Sequence, residues 1–373
     1  MKISISKQEL VSAVNTVKGI VASKSSLPIL SQILMEAENG ILKLTTTDLK
    51  VSIECSIDCT VEEPGALTVS SQRLSMLLNE LPDADINIEL TDSSIVELRC
   101  GVVETKLFSI SPEEFPPIRK FDDIAPLVFK QSLLKSLFKK TSFAICTDQS
   151  RYNLTGLLLE TRSDTLRVVA TDGRRLSLAV SEESIDIEHD IRVIVPSKMI
   201  QQLQSLLKDD EEQTVDVFLD QSQAAFVFDR VRIITSLIEG NFPNYEAVIP
   251  KKQDKECVIN TDEFMRCMRR AGAMTNDKFK NVKLVFDAGL MRLSVKTPDV
   301  GEYEEELAVE YSSEIVEIAF NPYFIREVLD CIESEEVCIQ LKDGSSPGVI
   351  NPILMVLLTR ISMLLCPYAL EQQ

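Results

Sequence analysis

The chain has 373 residues, 45% of them hydrophobic, which is enough for two or three domains with buried cores. Asp and Glu number 58 against 39 Lys and Arg, so the net charge at pH 7 is −19. Taken alone, this acidity argues against a nucleic-acid-binding protein, because such proteins usually carry a basic surface.

Cysteine and histidine usage argues against a metal site and a disulfide framework. The nine Cys include no Cys-x-x-Cys pair, and His189 is the single His. We therefore expect no metal and no cofactor, and reduced, mostly buried thiols. The segment Met1–Lys7 alternates like a strand and lacks the apolar core of a signal peptide, which favours a cytoplasmic protein.

One apolar segment recurs three times along the chain. Residues 166–176 alternate like a strand and contain Asp172-Gly173, a strong hairpin signal because Gly tolerates positive φ. A similar segment begins at Leu42, 124 residues earlier, and a looser one begins at Met291, 125 residues later. This spacing predicts three tandem repeats.

Helical periodicity and capping residues predict two helices in each repeat, with strands between them. The second helix of each repeat begins at Ser70, Pro196 or Asn321, again at a nearly constant spacing. Strand–helix alternation by chance would not keep one offset. The predicted helices are 7–18, 71–80, 131–140, 197–208, 261–270 and 322–331.

Proline-containing exits mark the ends of the first two repeats. Phe115-Pro116-Pro117 and Phe242-Pro243-Asn244-Tyr245 lie 127 residues apart, and proline cannot donate to a sheet ladder. We therefore predict an α+β protein with domains at 1–126, 127–252 and 253–373.

Positive charge is concentrated in the predicted helices. These six segments hold twelve basic and six acidic residues, although the whole chain is strongly acidic. High helix propensity of Lys and Arg alone would enrich Glu equally. A basic helical surface on an acidic body predicts contacts with phosphates, which position nucleic acid without reading its sequence. Few aromatic residues are available for base stacking, so duplex is favoured over single strands.

With these features, the chain resembles the bacterial DNA polymerase III β subunit, the sliding clamp. The resemblance spans nearly the whole length and is carried by five segments, of which Ala-Thr-Asp-Gly-x-Arg-Leu in a threefold repeat is the most specific. They are Leu27-Pro28-Ile29-Leu30, Arg151-Tyr152-Asn153-Leu154-Thr155-Gly156, Ala170-Thr171-Asp172-Gly173-Arg174-Arg175-Leu176, Phe242-Pro243-Asn244-Tyr245 and Asn276-Asp277-Lys278-Phe279.

The resemblance implies three clamp domains, with antiparallel sheets outside and two helices each inside. Two copies would close head to tail into a ring around double-stranded DNA, consistent with the rule that unpaired sheet edges invite pairing with another chain. It also implies a processivity factor in DNA replication whose partners are the DNA polymerase III catalytic subunit, the clamp loader and other clamp-motif proteins, with no membrane involved.

Family positions and helix charge together give the candidate site residues. Lys24 and Gln149 are carried from the family as DNA contacts, and the basic helices add Arg73, Lys135, Lys139, Lys140, Lys198, Arg266, Arg269 and Arg270. The resemblance places Thr105 and Leu107 opposite Ala273 and Met274 of a second copy. It also implies a groove for partner peptides formed by Leu154, Thr171, Gly173, Arg174, Arg175, Leu176, Pro243, Val248, Leu364, Cys366, Pro367 and Tyr368.

Two features of the C-terminus depart from the family pattern. Ala369 stands where Arg is common, and Glu371–Gln373 extend the tail. Residues 349–366 are unusually apolar, so a transmembrane helix competes with an altered C-terminal hairpin. Pro352 and Arg360 favour the hairpin.

Two other classes of function compete with the clamp. An enzyme could use the Asp172-Gly173 loop or the paired carboxylates of Glu113 and Glu114. However, no set of nucleophile, base and orienting group can be assembled from the sequence. A scaffold that binds only proteins would not need basic helices. We therefore expect a binding protein without catalysis.

Overall fold

The chain is described by a computed structural model that covers residues 1–21, 26–92, 94–121, 124–162, 164–181, 190–353 and 359–365. Its contacts divide it into two compact units. The first comprises the described residues of 1–132 and 201–237, and the second comprises those of 133–200 and 238–373.

Each of the six predicted helices is present, and the side chains of Ser6, Ser70, Asn260 and Asn321 cap the first turns of four of them. The longest helix continues three residues past its predicted end because Ala271 still contributes to the buried face. The helices are α1 (Lys7–Val17), α2 (Ser71–Glu80), α3 (Gln131–Lys139), α4 (Ser197–Leu206), α5 (Thr261–Ala273) and α6 (Pro322–Leu329).

Antiparallel strands make up most of the remaining structure. In the N-terminal part they are β1 (Lys2–Ile5), β2 (Gln32–Glu38), β3 (Ile41–Thr47), β4 (Val51–Asp58), β5 (Thr60–Glu63), β6 (Gly65–Ser70), β7 (Ile86–Asp92), β8 (Ile95–Cys100) and β9 (Val103–Phe108). In the central part they are β10 (Leu127–Lys130), β11 (Gly156–Arg162), β12 (Thr165–Thr171), β13 (Arg175–Ser181), β14 (Arg192–Pro196), β15 (Thr214–Leu219), β16 (Gln223–Phe228) and β17 (Val231–Ser236). In the C-terminal part they are β18 (Lys255–Asn260), β19 (Val282–Asp287), β20 (Leu290–Thr297), β21 (Gly301–Ala308), β22 (Val316–Phe320), β23 (Glu336–Leu341), β24 (Gly348–Pro352) and β25 (Thr359–Leu365).

In the first unit, strands from two repeats share one sheet. The eight strands run in the order β10-β15-β16-β17-β4-β3-β2-β6, and a second sheet has the order β5-β1-β7-β8-β9. The joint between the repeats is the antiparallel pairing of β17 with β4. Continuous backbone hydrogen bonding therefore joins the first repeat to part of the central one.

The second unit has the same construction. Its eight-stranded sheet has the order β14-β11-β12-β13-β25-β24-β23-β18, and its smaller sheet has the order β21-β20-β19-β22. Here β13 pairs with β25 along seven residues. The core beneath α5 and α6 is closed by Phe264, Met268, Ile325 and Phe286.

The apolar C-terminal stretch forms strands. β24 pairs with β25 from Gly348–Leu365 to Ile350–Met363, so the transmembrane alternative is wrong for these residues. None of the helices in the described part of the chain is long and apolar enough to cross a bilayer. The antiparallel sheets and paired helices confirm the predicted α+β class.

Candidate peptide groove and candidate DNA-binding residues

The predicted hairpin at Asp172-Gly173 joins β12 to β13. The Asp172 Oδ1 atom accepts hydrogen bonds from the backbone N–H groups of Arg174 and Arg175, at 2.9 and 3.0 Å. Thr171 donates its hydroxyl to the Arg175 carbonyl and accepts from the Gly173 N–H. Gly173 has φ of +83°, and a Cβ there would lie 2.9 Å from the Arg151 Nη1 atom. The positive φ of the turn therefore requires glycine, whereas the end of the Arg151 side chain can shift to admit a Cβ.

An apolar cluster lies next to this turn and contains both leucines predicted for the groove floor. Leu154 is 7% exposed and Leu176 is 4% exposed. They are joined by Phe242 from the proline-containing exit and by Val349 from β24. The structure thus brings together residues from the central and C-terminal repeats, as the groove hypothesis requires.

The other predicted groove residues differ in exposure. Pro243 and Arg174 are exposed, and Val248 is 53% exposed. Leu364 pairs with Leu176 through the backbone, but its side chain lies outside the described residues. Cys366, Pro367 and Tyr368 also lie outside them.

Arg175 is buried and its donors are used within the chain. Its Nε atom lies 3.2 Å from Asp172 Oδ2, Nη1 pairs with Glu327 of α6, and Nη2 donates to the Phe143 carbonyl at 2.6 Å. The guanidinium also stacks 4.3 Å from the centroid of the Phe324 ring. Arg175, predicted as a groove residue, therefore joins the hairpin to α6 through its side chain.

Several residues of the cluster were not predicted from the sequence as site residues. Besides Phe242 and Val349, it contains Ile238 and Tyr245. The Tyr245 hydroxyl donates to Glu160 Oε2 at 2.6 Å. Burial, followed by this hydrogen bond, raises the pKa of Tyr245. The repeated Phe-Pro exit was the available signal for Phe242 and Tyr245.

Two of the three basic residues of α5 have acidic neighbours elsewhere in the chain. Arg270 bonds to Glu305 of β21 at 2.5 Å, and this contact raises the pKa of the guanidinium. Arg269 lies 3.9 Å from Asp330, and Arg266 donates to the carbonyl of Asp262. Counting charge along the helix alone therefore overstated the positive charge that α5 presents.

The basic residues at the end of α3 differ from one another. Lys139 is exposed and lies 3.1 Å from Glu333. Lys140 immediately follows the helix and is partly buried, and this burial lowers the pKa of its ammonium group. Lys135 and Lys198 are also partly buried. Of the predicted DNA contacts, Lys139 on this segment is the most accessible.

Two other predicted DNA contacts are exposed. Arg73 lies in the first turn of α2, and Gln149 begins a 3₁₀ segment that runs to Leu154 with a kink at Arg151. Lys24 lies outside the described residues.

Three family models of the DNA polymerase III beta subunit match the chain in succession. The N-terminal domain model matches residues 1–119, the central domain model 128–244 and the C-terminal domain model 246–363. The chain belongs to the DNA polymerase III beta subunit family. This family comprises the bacterial sliding clamps of DNA replication, which are non-catalytic processivity factors.

Whole-length relatives agree with this assignment. The chain is 32% identical to the beta sliding clamp of Pseudomonas putida over 353 residues, covering 94% of this chain and 96% of the relative. It is 31% identical to that of Chlamydia muridarum, covering 94% and 95%. A Pseudomonas aeruginosa sliding clamp structure has a TM-score of 0.93 and 30% identity, and covers 99% of this chain and 100% of its own. The Bacillus subtilis clamp also scores 0.93, with 27% identity and 99% coverage of both chains.

The residues predicted to contact a second copy lie on or near terminal strands. Thr105 and Leu107 are half-buried on β9, the last strand of the five-stranded sheet. Ala273 is exposed at the end of α5, and Met274 packs partly on the core of the second unit. Phe108, at the end of β9, is 85% exposed. The predicted residues of the first repeat thus lie on a terminal strand, and those of the third repeat lie at the end of α5.

Proposed function

We propose that two copies of this chain close head to tail into a ring that encircles duplex DNA and tethers the replicative polymerase. Membership of the sliding-clamp family over nearly the whole chain is the observation that carries this proposal. The three domains would be 1–126, 127–252 and 253–373. The chain itself would perform no catalysis and would work in the cytoplasm.

Ring closure is proposed to pair the free edge of β9 with the free edge of β21 in the partner subunit. Both strands end their sheets, and unpaired backbone groups at a sheet edge favour such pairing. Thr105 and Leu107 would then face Ala273 and Met274 of the second copy. Because the side chains of Thr105 and Ala273 are small, we expect a weaker apolar contact than large aliphatic residues would give.

DNA contacts are proposed to be sequence-independent and to involve phosphates. The exposed Arg73 and Gln149 are the best-supported contacts. Lys139 is exposed but pairs with Glu333, and Arg270 pairs with Glu305. Lys24, Lys135, Lys140, Lys198, Arg266 and Arg269 remain candidates. Few strong phosphate contacts suit a ring that must slide, since topology then retains the DNA.

The peptide groove is proposed to bind the polymerase catalytic subunit, the clamp loader and other clamp-motif proteins. Leu154 and Leu176 form one apolar cluster with Phe242. Val248 and Pro243 are exposed, and each is next in the sequence to a residue that packs in or against this cluster, Ile249 or Phe242. A Leu or Phe anchor of a partner peptide would gain most of its binding energy by covering such a surface.

Retention on circular DNA tests the ring. We expect clamps loaded on closed circular DNA to stay bound in about 0.5 M salt, which screens attraction between exposed charges. Clamps on linear DNA should slide off the ends. Light scattering should show a dimer at micromolar concentration. Equal loss from circular and linear DNA, or a monomer at that concentration, would contradict the proposal.

Charge reversal tests the DNA contacts. Changing Lys135, Lys139 and Lys140 together to Glu should slow loading and reduce its salt dependence. Lys120→Glu, at an exposed position on the linker, serves as the matched control. Loading that is unchanged by the triple substitution would remove this segment from the DNA-contacting surface.

A further inference from the structure

The linkers that follow the first and central repeats are equivalent but end differently. Phe115 and Phe242 lie 127 residues apart, and at the same spacing Phe121 corresponds to Val248. Phe121 is 3% exposed, whereas Val248 is 53% exposed. One linker therefore buries the apolar residue at this position and the other leaves it accessible.

The surroundings of these linkers are also equivalent. In the first repeat, Leu30 and Phe115 share an apolar cluster with Leu34, as Leu154 and Phe242 share one with Leu158 in the central repeat. The leucine pairs lie 124 residues apart, the spacing of the repeated segment. The first repeat thus contains a counterpart of the peptide groove.

Phe121 lies in a neighbouring apolar cluster of the same unit, and Ile118 packs against both clusters. Phe121 packs with Ala225 and Ile234, and its ring centroid lies 6.3 Å from that of Phe218. Ile234 pairs with Ser52, which stands at the position of Leu176 in the groove floor. The aromatic side chain therefore supplies apolar contact where the first repeat has a serine in place of leucine.

An ion pair holds the linker in place. The Arg119 Nη2 atom lies 2.6 Å from Asp220 Oδ2, and its guanidinium carbon lies 5.6 Å from the centroid of the Phe121 ring. The Asp220 carboxylate is itself oriented by the N–H groups of Ser222 and Gln223. The counterpart of Arg119 is Glu246, whose charge would repel such a carboxylate.

Glu246 has different partners. Its carboxylate pairs with Arg162 and lies 3.1 Å from Arg167, both on strands of its own unit. Val248 is exposed, and the following residue, Ile249, packs against the apolar cluster of the central repeat. Sequence divergence at two linker positions therefore separates a closed joint from an open one.

We propose that Phe121 is an intramolecular ligand that closes the first repeat's counterpart of the peptide groove and so limits each chain to one docking site. The proposal rests on the proposed function in assuming that the open counterpart binds clamp-motif peptides. An aromatic anchor is the kind of residue by which such a peptide would bind, and the chain supplies its own.

Peptide stoichiometry tests the proposal. Calorimetric titration with the peptide Gln-Leu-Ser-Leu-Phe should give one site per chain for the parent and two for Phe121→Ala. Phe121→Leu retains a large apolar side chain and should stay at one site. In Phe121→Ala combined with Leu176→Ala, the site created at the first repeat should persist.

The two proposals fail separately in this experiment. One site in both the parent and Phe121→Ala would overturn the closed-groove proposal and leave the docking function standing. No site in the parent but one in Phe121→Ala would overturn the docking function and leave the closed-groove proposal standing. If Phe121→Ala does not fold by circular dichroism, Phe121→Val replaces it, because valine is the residue of the open linker, and the same outcomes apply.

Discussion

The first and central repeats build one turn from different residues, and the difference shows how a duplicated scaffold acquires a single binding site. In the first repeat, Asp48 Oδ1 accepts from the N–H groups of Lys50 and Val51 at 2.9 and 2.7 Å. Asp172 makes the same pair of bonds in the central repeat. The backbone is therefore kept, while the side chains around it have changed.

Three changes separate the two copies. Leu49 occupies the positive-φ position that Gly173 occupies in the central repeat. Ser52 stands in place of Leu176, and Phe121 stands in the linker where the central linker has Val248. The central copy has Leu176 in its floor and an open edge, whereas the first copy has Ser52 at the corresponding position and buries Phe121 nearby. Function was thus assigned to one copy through a few side chains rather than through a change of fold.

Removing the buried linker residue should have the largest effect. We expect Phe121→Ala to lower the free energy of unfolding by about 3–5 kcal/mol, because it leaves a cavity at the sheet joint. Val248→Ala, at the exposed counterpart, should change it by less than about 0.5 kcal/mol. Denaturant titrations of both variants measure this contrast. Similar losses for the two would mean that the linkers are packed alike.

Truncating the floor of the open groove should come next. Leu176→Ala should weaken binding of a clamp-motif peptide by about 1–3 kcal/mol, the range for a buried anchor contact. Deleting Glu371–Gln373 should matter far less. Calorimetry provides the measurement, with circular dichroism as the check on folding because Leu176 is also part of a core cluster. Parent-like affinity in a folded Leu176→Ala chain would remove this groove from the proposed function.

Much of this comparison was accessible from the sequence. Periodicity and capping predicted all six helices, and the recurring Asp-containing segment predicted the repeats, because these signals are local. The strand pairs β4–β17 and β13–β25 were not predicted, since each joins segments separated by more than a hundred residues. The sequence predicted the Leu154–Leu176 association only through the family resemblance.

Electrostatic contacts and linker burial were less accessible. Arg270 and Glu305 lie 35 residues apart on a helix and a strand, so a count along the helix missed their pairing. Phe121 and Val248 are both apolar residues that follow a proline-containing exit. Tertiary packing decides which one is buried, and neither hydropathy nor spacing records that packing.

The ion pair that anchors the closed linker should make stability depend on pH. Burial raises the pKa of Asp220, but the Ser222 and Gln223 N–H groups and the Arg119 charge outweigh it, so the net pKa is lowered. A lowered pKa in the folded state stabilises the fold above the ordinary Asp range, and this contribution is lost as pH falls through the folded value. We expect Asp220→Asn to cost about 1–2 kcal/mol at pH 7 and progressively less in acid.

Denaturant titrations of the parent and Asp220→Asn measure this dependence between about pH 7 and pH 2.5, a range that spans the ordinary titration of carboxyl groups. Asp216→Asn, on the neighbouring strand β15, is the control for general loss of charge. A constant difference between the parent and Asp220→Asn across this range would show that the ionised carboxylate does not stabilise the linker.

Substitutions at the two positive-φ positions should give the smallest changes in stability, with opposite signs in the two repeats. Leu49 has φ of +75° and is 57% exposed, so its conformation is strained without a compensating burial of its side chain. Leu49→Gly relieves the strain but adds conformational freedom to the unfolded chain, so we expect a net gain of no more than about 1 kcal/mol.

The reciprocal change, Gly173→Ala, should destabilise by about 1 kcal/mol or more, because alanine is strained at φ of +83° and its Cβ would lie 2.9 Å from Arg151 Nη1. That nitrogen donates to the Asp172 carbonyl at 2.6 Å, so a displaced Arg151 would also release the turn. Thermal unfolding of the two single variants and of the double variant measures both effects. Opposite signs would show that the shared turn demands glycine in both repeats and that only the central copy has it. A loss of stability in Leu49→Gly would instead mean that the leucine side chain has contacts that hold the first repeat's turn.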